Sequence, residues 1–182
     1  MRPDRPIVVP DRAALERHLG WYLDRYEPTR RRAVDVLRRK VRPAVRAGLM
    51  EAEAAEAMVQ AVISEATDAR LIDDLRAANG TVRAWRSRGK PARAIRFGLA
   101  MRGVEPEALE AAMAADEDDD ATAIVRLARR KGYGPFRRGA RSPEQDRKEL
   151  AGLARAGFSF DAARRVVEAS EAEGLEEVLR GR

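Results

Sequence analysis

The sequence predicts an all-α fold, an elongated, curved array of three tandem three-helix modules. Three observations carry that expectation. A helical pattern occurs twice, in RGKPARAIRFGLAMRGVEPEALEAAM (Arg88–Met113) and in LARAGFSFDAARRVV (Leu153–Val167). Each copy closes one helix with Leu, three residues, Gly and an apolar residue, as Leu99-Gly103-Val104 and Leu153-Gly157-Phe158, and opens a second amphipathic helix behind it. Apolar residues recur at helical spacing along the chain, and no stretch reads as a strand. The composition agrees: 45% of the residues are hydrophobic, many of them Ala, only 5% are aromatic and 36% are charged, which suits thin helical cores with one wet face. A repeated helical unit builds a row of small modules, and such rows bind macromolecules over a long surface.

The elements follow in order. Asp11 caps a helix running to about Tyr26, with Leu15, Leu19, Tyr22 and Leu23 on one side. Pro28 and Thr29 restart the chain, and a helix from Arg30 carries Ala33, Val34, Leu37 and Val41 on one face until Pro43 kinks or ends it. A third helix covers about Glu51 to Asp68. Asp73 or Asp74 caps the next, which runs to about Arg88 through the weakening pair Asn79-Gly80. Gly89 stops it, and Pro91 opens a helix ending at Gly103. Pro106 starts another that fades at Ala115. The acidic run Asp116–Asp120 favours the positive end of the following helix, which ends near Lys131. The loop Gly132–Ser142 precedes a helix capped by Ser142 and stopped at Gly157. Ser159 caps one to about Glu171, and Leu175–Leu179 forms a last short turn. The sum is about nine helices: an N-terminal tail (1–10), then repeats over 11–71, 72–115 and 116–182. Each repeat is too small to bury much core alone.

Several function classes have little to stand on. The chain has no Cys, so it holds neither disulfide nor thiolate metal site. His18 is its single histidine and reads as a surface residue; there is no HExxH, Walker A loop, GxGxxG or Ser-His-Asp pattern. Gly132-Tyr133-Gly134-Pro135 leaves a helix instead of opening one, and a phosphate cradle needs the N-terminal end. The run Asp116–Asp120 lacks the glycine and distal Glu of a calcium loop. The expectation is therefore no enzyme, no cofactor and no metal. The apolar run Ile7–Val9 is too short for a signal peptide, and no stretch approaches the ~20 apolar residues of a membrane helix, so a cytoplasmic protein without membrane contact is expected.

The 182 residues carry a net charge of +6, which raises the odds of a nucleic-acid or acidic-protein partner. Only Lys40, Lys90, Lys131 and Lys148 of the 36 basic residues are Lys, a bias that a GC-rich genome produces whatever the function. The distribution says more than the sum. Every charged residue from Leu75 to Gly103 is basic, every one from Val104 to Asp120 is acidic, and every one from Val125 to Ser142 is basic again. Such blocks mark binding faces or solvated faces that steady each other. The candidate binding face is Arg83, Arg86, Arg88, Lys90, Arg93, Arg96 and Arg102, with Arg126, Arg129, Arg130, Lys131, Tyr133, Arg137 and Arg138. Arg83, Arg86, Lys90 and Arg93 recur at spacings of three or four and share one helical face. Trp85 lies among them, either as a base-stacking residue or as core. Tyr133 and Phe136 lie in a loop among cations, placed for interaction or as a plug between helices.

These residues also carry a resemblance. The segment LIDDLRAANGTVRAWRSRGKPARAIRFGLAMRGV (Leu71–Val104) resembles the central repeat of the RecX family, bacterial regulators of the RecA recombinase. LARRKGYGPFRR followed by DRKELAGLARAGFSFDAARRVVEA resembles the third repeat of the RecX proteins of alphaproteobacteria, and WYLDRYEPTRRRAVDVLRRKV their first. The order of three pieces at the right spacing is more specific than any one of them. Three positions depart from the family pattern: Ala77 stands where an aromatic is usual, Arg70 replaces the usual Gly before Leu71, and Asn79-Gly80 loosens the same helix. The resemblance implies a monomeric modular protein that binds RecA and its filament on single-stranded DNA, lying in the filament groove, with direct DNA binding as a weaker contact. It implies inhibition of strand exchange, ATP hydrolysis and coprotease activity by blocking filament growth or destabilising the filament. The alternative from charge alone is a nucleic-acid-binding helical repeat protein without a recombinase partner.

Overall fold

The computed structural model describes residues 6–181; the first five residues of the expected tail, and Arg182, lie outside the described residues. Among the described residues the fold is all-α, without strands. The helices are α1 (Arg12–Leu23), α2 (Arg30–Arg46), α3 (Ala52–Asp68), α4 (Asp74–Arg86), α5 (Ala92–Met101), α6 (Pro106–Ala114), α7 (Asp120–Lys131), α8 (Pro143–Ala156), α9 (Phe160–Glu168) and α10 (Leu175–Arg180), with a 3-10 turn at Gly134–Phe136. The expected closing turn is thus a six-residue helix in its own right, α10. None of these helices is long and apolar enough to cross a membrane.

Side-chain caps set most of the helix starts. An orphan amide of the first turn is taken up by Asp11 (from Ala14, 2.7 Å), Thr29 (Arg32, 3.2 Å), Asp73 (Arg76, 2.9 Å), Asp119 (Thr122, 2.8 Å), Ser142 (Gln145, 3.2 Å) and Ser159 (Ala162, 3.2 Å). The repeated glycines Gly103 and Gly157 have φ of 70° and 103°, the left-handed region in which a helix turns off and which costs glycine least.

Some boundaries differ from expectation. α1 stops at Leu23, short of Tyr26, where the chain turns off through Asp24 and Arg25, the Arg25 N–H bonding the Tyr22 carbonyl. α2 is not ended by Pro43 but runs on to Arg46. The proline removes the amide that would bond the Arg39 carbonyl, yet Val41 before it and Ala44 after it are both buried, and that burial offsets the loss. α4 ends at Arg86, not Arg88, and α9 at Glu168, where Ala169 turns extended.

The chain forms two compact units. The first comprises the residues up to Ala78 together with Met101–Ala108. The second comprises Asn79–Ala100 and the residues from Leu109 onward. The expected middle repeat, 72–115, contributes to both. In the first unit Leu15 and Leu19 of α1, Val34, Leu37 and Val41 of α2, and Val59, Val62 and Ile63 of α3 form one apolar cluster, closed by Ile72. In the second, Ile124, Val125 and Leu127 of α7 meet Leu153 of α8, Phe158 of the turn after it, Val166 and Val167 of α9 and Leu175 of α10. The apolar stripes read from the sequence are these core faces.

Arg70 sits just past the end of α3 with φ 55°, and it is the sole non-glycine residue with positive φ among the described residues. The amides of Leu71 and Ile72 both return to the Ala66 carbonyl, so the left-handed turn is held by backbone bonds. This is the position where the family pattern has Gly, and the geometry explains why: a Cβ is strained there. Arg70→Gly is expected to stabilise the protein by about 1 kcal/mol, a rise in Tm of about 3 °C in thermal denaturation. A Tm that is unchanged or lower would show that the turn carries no strain.

Candidate partner-binding surface

The basic blocks of the sequence divide in three dimensions into two populations. Arg83, Arg88 and Arg93, in and between α4 and α5, are exposed and form no ion pair among the described residues. Arg130 and Lys131 at the end of α7, and Arg138 beyond the 3-10 turn, are likewise exposed. Arg96 is exposed and pairs with Glu110, also at the surface; Arg126 pairs with Asp118. Exposed pairs of this kind contribute little to stability and leave the cations accessible. The Arg129 guanidinium lies 5.2 Å from the Phe136 ring centre. Arg102 is exposed in the first unit, where its carbonyl accepts from the Thr29 hydroxyl at 3.0 Å.

The second population is structural. Arg86, expected on an exposed face with Arg83, Lys90 and Arg93, is only 3% exposed. Its Nε donates to Asp116 at 2.6 Å, and its Nη1 to Asp120 at 2.6 Å and to the Lys90 carbonyl at 3.2 Å. Asp120 also accepts the Ala92 amide at 2.7 Å. One guanidinium therefore ties the end of α4 to the starts of α5 and α7. Burial works against its charge, and Asp120 and Asp116 more than offset that, so its pKa is raised. Helical spacing put Arg86 on a common face with its neighbours; the two aspartates that draw it inward lie thirty or more residues away in sequence.

Arg137 is the second correction. It was expected in a free loop, but its guanidinium is inserted beside Glu149, which is wholly buried. Nε and Nη2 reach the two Glu149 oxygens at 2.8 and 2.7 Å, a bidentate pair. Nη2 also donates to Asp146 at 3.0 Å and to the Val167 carbonyl at 2.9 Å. Glu149 accepts the Gly134 amide at 2.8 Å and Gln145 Nε2 at 3.1 Å. Burial pushes the Glu149 carboxyl up; Arg137, Gly134 and Gln145 outweigh it and hold the carboxyl below its ordinary range. The network fixes the 3-10 turn against α8 and α9.

The aromatics are packing residues as much as contact residues. Tyr133 is half-buried with its ring over Gly152 of α8, where any Cβ would lie 2.8 Å from the hydroxyl. Trp85 is half-buried against Gly98 of α5, and the Lys90 ammonium sits 3.9 Å from its ring centre. The four aspartates of the acidic run are engaged internally, Asp116 and Asp120 by Arg86, Asp118 by Arg126, and Asp119 by its cap and by Arg180 at 2.5 Å, which lowers its pKa, while Glu117 is exposed. A cleft of about 750 Å³ in the second unit is lined by Arg83 and Arg126 but also by Asp116, Glu117 and Asp118, so its charge is mixed and it does not favour an anion.

One feature of the first unit went unread in the sequence. His18, Trp21 and Arg25 form a row on the open side of α1, beside Tyr22 and Tyr26. The spacing i, i+3, i+7 of those three residues was the available signal.

Two proteins are similar to this chain over long stretches. Regulatory protein RecX of Myxococcus xanthus is 34% identical over 173 residues, 93% of this chain and 92% of that protein. Regulatory protein RecX of Agrobacterium fabrum is 32% identical over 124 residues, 68% of this chain and 66% of that protein. No protein-family model matches the chain.

Proposed function

This chain belongs to the RecX family of regulatory proteins, and from that premise we propose that it regulates the RecA recombinase by binding the recombinase filament on single-stranded DNA. Binding blocks filament growth or destabilises the filament, and so inhibits strand exchange, ATP hydrolysis and coprotease activity. The protein acts as a monomer in the cytoplasm and not as an enzyme. Its repeats over 11–71, 72–115 and 116–182 supply reach along the filament.

The observation that carries this reading is the 34% identity over nearly the whole chain. The exposed cations support it. Arg83, Arg88 and Arg93 with Arg129, Arg130, Lys131 and Arg138 are the residues of the second unit that we assign to acidic recombinase surface or to the phosphates beside it, together with Lys90, Arg96 and Arg126; Arg102 is assigned to the same kind of contact from the first unit. We leave Arg86 and Arg137 out of that assignment, since both guanidinium groups are held in internal ion pairs.

The test is ATP hydrolysis by the cognate RecA on single-stranded DNA, with this protein titrated in. Inhibition at protein levels well below those of RecA is expected, because a capped or broken filament silences many subunits at once. No inhibition, together with salt-sensitive DNA affinity of the protein alone, would replace this reading with that of a DNA-binding helical repeat protein.

A further inference from the structure

We propose that the open edge of α1 and α2 in the first unit is a binding site for single-stranded nucleic acid, with Trp21 as its stacking residue. Direct DNA contact is already an expectation of the resemblance; the proposal assigns it a place on this chain, and nothing in it requires a recombinase.

The geometry is that of a stacking row. The His18 and Trp21 rings lie 9° from parallel, with centres 6.1 Å apart. The Arg25 guanidinium lies 4.4 Å from the Trp21 ring centre and donates to the Trp21 carbonyl at 3.0 Å. Trp21 nevertheless keeps 50% of its surface open, and Tyr26, tilted against Tyr22 at 4.8 Å, keeps 56%. Trp21 lies on the face of α1 opposite Leu15 and Leu19, so it takes no part in the apolar cluster of the unit. A base offers a flat π face that extends such a row, and guanidinium planes accept bases as readily as rings do.

The charge around the row is matched to a phosphate backbone. Arg17 and Trp21 stand at i and i+4 on α1 and Arg25 in the turn just beyond it, so the indole has a cation four residues away on either side. Across from it, Arg32 reaches the Tyr22 hydroxyl at 3.4 Å. Arg39 bonds only a backbone carbonyl, that of Asp35, and Lys40 is close enough, after burial, to lower the His18 pKa. None of Arg17, Arg25, Arg32, Arg39 and Lys40 is ion-paired with a carboxylate among the described residues. The paired arginines of this unit are Arg12, Arg38 and Arg76. Of the carboxylates on these stretches, Glu16 is paired with Arg12 and Glu27 with Arg76, and the remaining Asp24 and Asp35 are outnumbered.

A single strand is favoured over a duplex because duplex bases are stacked on one another and closed to an indole. It is favoured over an acidic peptide because cations alone would serve a peptide, and the open rings would contribute nothing.

The experiment is fluorescence anisotropy of a labelled 20-nucleotide oligothymidine with the full chain, in the absence of any recombinase. Trp21→Ala is expected to weaken binding about tenfold with no loss of Tm, because the side chain is half open. Trp21→Phe restores most of the affinity. Unlabelled oligothymidine displaces the probe at lower concentration than a duplex, or a polyglutamate of equal charge. Four results would overturn the proposal: no binding by the wild-type chain, equal affinity of Trp21→Ala, Trp21→Phe no better than Ala, or displacement by polyglutamate as effective as by oligothymidine.

Discussion

Arg137→Ala is expected to destabilise the protein by about 3–5 kcal/mol, read as a large drop in the midpoint of thermal or urea denaturation. The reason is the state in which it leaves Glu149. That carboxylate has no access to solvent, and it loses a bidentate partner while keeping only the Gly134 amide and Gln145. A buried charge stripped of its counter-ion costs more than the pair contributed when intact. The Val167 carbonyl and Asp146 lose their shared donor at the same time. Glu149→Gln offers a companion with a pH signature. The folded-state pKa of Glu149 is depressed, so its contribution to stability is fully present above its unfolded value and is lost as the pH falls through the lower folded value. The stability gap between wild type and Glu149→Gln should therefore be widest near neutrality and close in acid. A gap independent of pH would mean that the carboxylate charge is not what the site uses.

Arg86→Ala is the second large effect, a loss of about 3 kcal/mol. Asp116 is nearly as buried as Arg86 itself, with side-chain exposures of 8% and 4%. Asp120 is half open and can return to water, which keeps the cost below that at Arg137. The deletion also frees the Lys90 carbonyl that helps to shape the turn between α4 and α5. A residue that touched only a partner would behave oppositely: its removal would leave the melting temperature alone and weaken binding. Equilibrium urea denaturation of Arg86→Ala separates the two, and an unchanged midpoint would restore Arg86 to the contact face.

Much of the fold was legible because helix ends are written locally. Asp11, Thr29, Ser142 and Ser159 stand where an orphan amide needs an oxygen, and Gly103 and Gly157 where the chain needs a positive φ. Pro43 misled because the local rule against a helix-interior proline was overridden by the burial of Ala44 beyond it. The binding face was legible only in part. Arg83, Arg86, Lys90 and Arg93 do not share one helical face, since α4 ends at Arg86, Lys90 lies in the turn and Arg93 belongs to α5; nor can spacing tell a cation facing water from one met by carboxylates returning from a later helix. Asp116 and Asp120 read as a helix-dipole feature, and nothing in the local pattern marks Glu149; their role as counter-ions for Arg86 and Arg137 exists only in the folded chain. The departure at Arg70, noticed as a difference from the family, became intelligible once its φ was known.

The measurement that tests the central claim most directly is inhibition of RecA ATP hydrolysis by the triple variant Arg83→Glu, Arg88→Glu, Arg93→Glu, set beside its melting temperature. These three are exposed and outside the ion pairs that hold the fold, so the account predicts a wild-type melting temperature with inhibition weakened about tenfold or more. A folded triple variant that inhibits as strongly as wild type would contradict the assignment of that surface to the recombinase filament.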